Sequence, residues 1–216
     1  MPSKMIIQSL NAGLPARELF FGKEIITGIC KKPVMAPVHL RKSGFDGDGV
    51  GDLRHHGGSD KAVCAYGANH YPYWEGILKT VLPPAPFGEN FSLMNLDEAA
   101  VCIGDIFQVG TSVVQISQPR QPCSTLAARY GRADMAKLVV DSGRTGCYFR
   151  VIEEGIVGTG NALILKERDR HAITVAFANH IYHHDRKNRD GIEKILAVEA
   201  LSASWRESFI KLREGI

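Results

Sequence analysis

The sequence predicts a mainly β protein with peripheral helices and a three-helix C-terminal appendage. Short apolar or alternating runs fill the chain to about residue 168, Gly, Asp, Asn or Pro separates most of them, and the pattern turns helical after Asp169. Many short strands with tight turns point to an antiparallel barrel or sandwich, and closing into a barrel would remove exposed edges. The expected division is residues 1–168 for the β domain and 169–216 for the appendage. A chain of 216 residues allows a body with an extra, or two small domains.

The strand candidates include Met5 to Leu10, Val34 to Leu40, Ala62 to Tyr66, Val101 to Ile103, Ile106 to Val109, Val113 to Ile116, Cys147 to Ile152 and Ala162 to Leu165. Gly104-Asp105 joins two of these runs and suits a hairpin turn, because Gly accepts positive φ at the first central position. Gly110-Thr111 turns toward the next strand. Two longer segments read as helices packed on this body. Asn69 to Thr80 carries Tyr71, Tyr73 and Trp74, and Ser124 to Val140 has an approximate helical stripe. In the tail, Thr174 can cap Val175 to Tyr182, Ile192 to Ala200 follows, and Ser204 with Glu207 forms a capping box for a last helix. So short a tail seldom sustains a core alone, so it is expected to dock on the barrel or on a second subunit, the latter making a homodimer.

With 44% hydrophobic and 23% charged residues, the chain is an ordinary globular one. Its formal charge of +3 is too small for a nucleic-acid reader dependent on many phosphate contacts, though a local basic pocket remains compatible with it. No 18-residue apolar run occurs and no signal-peptide pattern opens the chain, so no membrane partner and a cytoplasmic location are expected. Cysteines 30, 64, 102, 123 and 147 include no C-x-x-C pair, which argues against a disulfide framework and against a zinc ribbon.

Chemistry concentrates in Ser117-Gln118-Pro119-Arg120-Gln121-Pro122-Cys123-Ser124-Thr125, between an apolar strand and a helix. Two prolines stiffen the approach. Amides at a helix start and the nearby Arg120 both favour negative charge, so Cys123 is expected to be thiolate-like, as a nucleophile or a soft metal ligand needs. The plain alternative is a small residue filling a corner. Cys64, Cys102 and Cys147 lie in apolar strand patterns and read as core.

Gly44-Phe45-Asp46-Gly47-Asp48 and Arg54-His55-His56-Gly57-Gly58-Ser59-Asp60-Lys61-Ala62-Val63 form polar, glycine-bearing loops whose amides and cations suit an anion. Their glycine spacing fits neither a P-loop nor a dinucleotide fingerprint. Pro86-Phe87-Gly88-Glu89-Asn90-Phe91 bends at Gly88 and supplies polar groups, and Lys31 with Lys32 sits in an early loop. Each of these also reads as an ordinary solvated turn. His180, His183, His184 and Asp185 have partial metal-ligand spacing, but a helix end favours a histidine cation without any metal.

Taken together and in order, G-F-D-G-D, R-H-H-G-G-S-D-K-A-V, F-G-E-N, the Gly104-Asp105 turn and S-Q-P-R-Q-P-C resemble the MOSC-domain family over residues 20 to 166. The helical end, with A-L-S-A-S-W-R, is similar to the three-helix appendage of the YiiM-like branch. The resemblance implies a β-barrel binding a molybdenum cofactor in its molybdopterin form, with Cys123 as the molybdenum ligand. It makes Lys31, Arg54, Lys61 and Arg120, with Gln121 beside them, the candidates for contacts to the anionic pterin. His56, Gly57, Gly58, Glu89 and Asn90 then shape and line the pocket. The implied activity is reduction of N-hydroxylated compounds such as 6-hydroxylaminopurine, detoxifying hydroxylated base analogues. Electrons would come from a separate reductase, because no flavin, haem or Fe–S motif is present. Three rival readings stay open: a sulfur-carrier or cofactor-handling protein with a Cys123 persulfide, a hydrolase using Cys123 and His56, and a binding module without turnover.

Overall fold

The computed structural model describes residues 4–51 and 57–215. In chain order the strands begin with β1 (Met5–Ala12), the hairpin β2 (Ala16–Phe20) and β3 (Lys23–Thr27), then β4 (Lys32–Pro33), β5 (Val38–Arg41), β6 (Gly44–Phe45) and β7 (Val63–Gly67). After α1 (Tyr71–Leu78) come β8 (Phe91–Met94), β9 (Ile106–Val109) and β10 (Ser112–Pro119). Helices α2 (Ser124–Tyr130) and α3 (Met135–Ser142) lead to β11 (Cys147–Glu153), β12 (Gly155–Val157) and β13 (Ala162–Glu167). The chain ends in α4 (Val175–His183), α5 (Arg189–Leu196) and α6 (Ala203–Glu214).

Seven strands close a barrel in the order β13-β9-β10-β11-β7-β8-β1, with β1 returning to β13 through Met5↔Leu163 and Ile6↔Ala162. Every pair in it is antiparallel except β7–β8, so the barrel is mixed. That parallel pair needs a long connection, and residues 68 to 90 supply it, carrying α1 across the outside of the wall. β4 extends β1 beyond the barrel, and β12-β5-β6 forms a small separate sheet.

Strand alternation gives the wall two apolar faces. Val63 and Ala65 point into the barrel with Phe149, Ile116 and Leu93, whereas Tyr66 joins a second core with Trp74, Phe87, Leu126 and Met135. Each fully buried large apolar side chain contributes on the order of 1.5–3 kcal/mol relative to exposure. The second core seats α1, α2 and α3 on the outer wall. Tyr66 stacks on Phe87 at 4.0 Å between ring centroids and accepts a 2.6 Å hydrogen bond from the Trp74 indole.

The appendage shares the barrel's core. Val175, Ile181, Ile195, Trp205 and Phe209 lie in one buried cluster with Val114 and Ile116. Thr174 caps α4 as its sequence position predicts, accepting from the Phe177 amide at 3.0 Å. The last helix starts two residues before the expected Ser204: Ser202 is the cap and accepts from the Trp205 amide. The expected single helix from Ser124 to Val140 is two, because Gly131 takes a left-handed conformation at φ 61° and closes α2. Gly110-Thr111 forms the tight β9–β10 turn, with Val109 opposite Ser112. Gly104-Asp105 does not join a hairpin. Val101 to Ile103 lies instead against Ile173 to Val175, bonding through Ile103 N to Ile173 O and Val175 N to Val101 O, so this run fastens the start of α4.

His183 is half-buried near the end of α4, its Nε2 enclosed and without a hydrogen-bond partner among the described residues. Burial, with His184 and Arg186 adding to it, holds its pKa below the ordinary value. A depressed histidine pKa means the unfolded chain binds the proton more readily, so stability is full above the unfolded pKa of about 6.5 and falls as pH drops through the lower folded value. Chemical denaturation at descending pH should therefore show a loss of stability below about pH 6.5 that His183→Gln reduces.

Candidate functional site

A cavity of about 400 Å³ opens between the outer face of the barrel wall and the surrounding loops. Its inner wall is made by β7 and β11. Their register sets Tyr148 opposite Cys64, so both side chains leave the same face of the sheet, away from the barrel core, and both line the cavity. The loop after β10 brings in Arg120 and then Cys123, the residue before α2. Gly57, Gly58 and Lys61 enter from the turn preceding β7, and Asn90 from the segment preceding β8. Gly57 and Gly58 have φ of 81° and 86°, a left-handed backbone that L side chains adopt only with strain, which accounts for the paired glycines.

One carboxylate gathers the rim. Asp48 accepts from the Gly13 amide at 2.9 Å, from the Asn90 side-chain amide at 2.8 Å and from the Lys31 ammonium, with which it forms a nearly buried ion pair. Lys31 thus meets the cavity with its charge already engaged by Asp48. Asn90 also acts as a strand bridge: its Oδ1 accepts from the Cys64 amide at 3.0 Å and its Nδ2 donates to the Asn11 carbonyl at 3.1 Å. Gly28 permits a further close approach, since a Cβ there would lie 2.3 Å from the Gly49 carbonyl oxygen.

Glu89 does not line the cavity. It is fully buried behind the wall, where its carboxylate accepts from the Phe87 amide at 2.9 Å, from the Tyr71 hydroxyl and from Ser92 at 3.1 Å. Burial and the Glu89 charge push the Tyr71 pKa upward, keeping that phenol a donor. Glu89 therefore shapes the bend that presents Phe87 and Gly88. Gln121 is half-buried beside the site but outside the cavity lining, and Arg54 and His56 lie outside the described residues.

Arg120 is the most constrained charge. Only 4% exposed, it donates from Nη2 to the Phe87 carbonyl at 2.8 Å, while its Nη1 has no hydrogen-bond partner among the described residues. Burial opposes its charge, but Cys64, Tyr148 and Cys123, as they ionise at high pH, raise its pKa, so the guanidinium stays cationic throughout the ordinary pH range. A buried guanidinium nitrogen without an acceptor is costly. Lys61 is half-buried at the edge, and burial lowers its pKa against the opposing effect of Asp60. The Cys64 thiol is pushed up to about 11, chiefly by burial. Cys123 is half-buried at the helix start.

Lys31, Gly57, Gly58, Lys61, Asn90, Arg120 and Cys123 thus meet around one space, as a shared site requires. Asp48, Cys64, Tyr148 and Thr125 also line it, although sequence reasoning did not select them. Asp48 stands in the G-F-D-G-D motif but argues on charge against an anion site. Cys64 and Tyr148 become visible only through the β7–β11 register. Among the described residues no group of three or more His, Cys, Asp or Glu can hold a metal ion, and the His180 to Asp185 segment is no exception. Among those same residues no helix is long and apolar enough to cross a membrane.

A seven-stranded barrel whose outer cavity presents a cysteine beside a buried arginine defines the class of protein. The chain belongs to the MOSC-domain family: the MOSC domain matches residues 52–164, and a YiiM-like three-helix domain matches residues 173–215. It is 50% identical over 210 residues to the uncharacterized protein YflK of Bacillus subtilis (strain 168), covering 97% of this chain and 95% of that one. The crystal structure of YiiM from Geobacillus stearothermophilus superimposes with a TM-score of 0.83 at 41% identity, covering 97% of this chain and 99% of the other. A protein of Gibberella moniliformis (strain M3125 / FGSC 7600) named Reductase is 34% identical over 155 residues, which make up 68% of this chain but 27% of that protein. The MOSC family is associated with the molybdenum cofactor.

Two outcomes follow from this geometry. Brief treatment with an alkylating reagent near pH 8 should label Cys123 and spare Cys64, whose thiol remains protonated there; peptide mass spectrometry reads the order. Asn90→Ala removes hydrogen bonds to Cys64, Asn11 and Asp48 and should lower unfolding free energy by about 2–4 kcal/mol, measured by chemical denaturation.

Proposed function

We propose that this protein is a molybdenum-cofactor-dependent reductase of N-hydroxylated compounds, with hydroxylaminopurines as the representative substrates. The observation that carries the reading is that Cys123 lines one cavity with Arg120, a buried guanidinium whose Nη1 has no acceptor among the described residues. That pairing fits an anionic cofactor with a soft metal: the cysteine supplies a sulfur ligand and the guanidinium an unused charge-assisted donor. The name of the Gibberella relative, Reductase, supports the direction of the chemistry.

In this reading Cys123 anchors the molybdenum. Arg120 and Lys61 would hold the anionic pterin, with Gly57 and Gly58 lining the same space. When bound, the cofactor supplies the two-electron redox chemistry. Over the whole reaction the substrate N–O bond breaks, an N–H bond replaces it, two electrons and two protons are consumed and the oxygen leaves as water. A separate reductase protein supplies the electrons. Tyr148, whose pKa is raised chiefly by burial, keeps its proton and hydrogen-bonds to Cys64 at the cavity wall. The Lys31–Asp48–Asn90 network holds the rim and takes no part in the redox step.

The test is elemental and pterin analysis of protein made in cells supplied with molybdate, together with a hydroxylaminopurine reduction assay using an artificial electron donor. Cys123→Ser should lose both bound molybdenum and turnover while its circular dichroism matches the parent. Arg120→Met should lower cofactor retention by about tenfold or more, as removal of a close supporting partner commonly does. A parent protein free of molybdenum but carrying a persulfide on Cys123 would overturn the reading in favour of sulfur transfer.

A further inference from the structure

Asp60 belongs to the turn that places Gly57, Gly58 and Lys61 in the cavity wall, yet its own carboxylate does not line the cavity. One of its oxygens accepts from Arg150 Nε at 3.0 Å and Nη2 at 2.7 Å, the arginine projecting from β11. The other accepts from the backbone amide of Ala203 at 3.0 Å. Ala203 is the first residue of α6, so Asp60 satisfies one of the amide donors that a helix start leaves without an internal partner. Its negative charge also suits that end of the helix.

Other contacts run through the same point. The Ser117 hydroxyl donates to the Asp60 carbonyl, and the Ser117 carbonyl accepts from the Ser202 amide at 3.0 Å. The Ser204 hydroxyl donates to Gln118 at 3.2 Å. Arg150 is braced in turn by Gln115 at 3.0 Å. The last helix and the cavity's glycine turn therefore share a single carboxylate, although they are separated by more than half of the chain.

We propose that Asp60 is a positioning residue through which the C-terminal helices set the cavity wall, so that docking of α6 determines how tightly the site retains its ligand. Lys61 follows Asp60 directly, and Gly58 accepts from the Lys61 amide at 2.9 Å, so a displaced Asp60 carries the whole turn with it. The appendage then acts on the site without touching it. Only the cofactor-retention arm of the test below rests on the function proposed above.

Ala203→Pro is the discriminating substitution in the full-length, cofactor-loaded protein. Proline is well tolerated at the first position of a helix, and Ser202 already has the extended backbone that precedes proline, so α6 can form while its bond to Asp60 cannot. Asp60→Ala is the matched change from the other side. Both variants should speed backbone amide exchange over residues 57 to 63 and lower retained molybdopterin by about tenfold, the lower end of what a supporting partner of a bound group costs. Turnover per retained cofactor should stay at the parental value, because the reacting centre is untouched. A purely structural role would instead lower the thermal midpoint and speed exchange across the whole barrel, and that outcome overturns the proposal. Parental exchange over 57 to 63 in both variants overturns it as well. A parent protein that holds no molybdopterin would refute the proposed function alone, since the exchange measurement needs no cofactor.

Discussion

The Asp48 carboxylate is the constraint on which the cavity depends. Gly13 follows β1, Lys31 precedes β4, Asn90 precedes β8, and Asp48 itself lies after β6; all four meet at two oxygen atoms. The side chains of Lys31 and Asp48 are 5% and 10% exposed. In such surroundings, removing one partner leaves an uncompensated charge, which costs more than the pair contributes when intact. The cluster therefore fixes loop geometry more than it adds stability. It also engages Lys31, so the cavity's positive character falls on Arg120 and Lys61.

Arg120 presents the opposite situation. Its described neighbours satisfy one side of the guanidinium and leave the other without an acceptor, in a place closed to solvent. The fold carries that cost, which in the function proposed above an anionic ligand would recover. Sites built in this way are prepared in advance, since little side-chain ordering remains to be done when the ligand arrives. Glu89 performs the supporting task from behind: with three donors on its carboxylate, it holds the bend whose Phe87 carbonyl in turn holds Arg120.

Much of the fold was legible because alternation and turn residues are local signals. The β9–β10 hairpin at Gly110-Thr111 and the Thr174 cap depend on residues a few positions apart. The misread segments depend on distant ones. Val101 to Ile103 looks like half of a hairpin, but its partner lies at Ile173 to Val175. Ser204 and Glu207 make a plausible capping box, yet Ser202 caps α6 because its own amide is fixed to the Ser117 carbonyl. The site divides along the same line. Gly57, Gly58, Lys61, Arg120 and Cys123 stand in motifs with visible chemistry. Glu89 belongs to a motif but faces inward, which its residue type does not reveal. Cys64 and Tyr148 became cavity residues only once two strands separated by α1, α2, α3 and three other strands were set side by side.

Barrel closure between β1 and β13 has a consequence for how the protein is made. Ile6 finds its partner at Ala162, so β1 has no completed neighbour on that side until nearly all of the β domain has been synthesised. Pairings over such sequence distances form slowly, because the intervening chain must first surrender its freedom. The cavity lies against the wall that this pairing completes, and α6, which bonds to Asp60, is made later still. The wall that backs the cavity is therefore complete only after β13 has been synthesised.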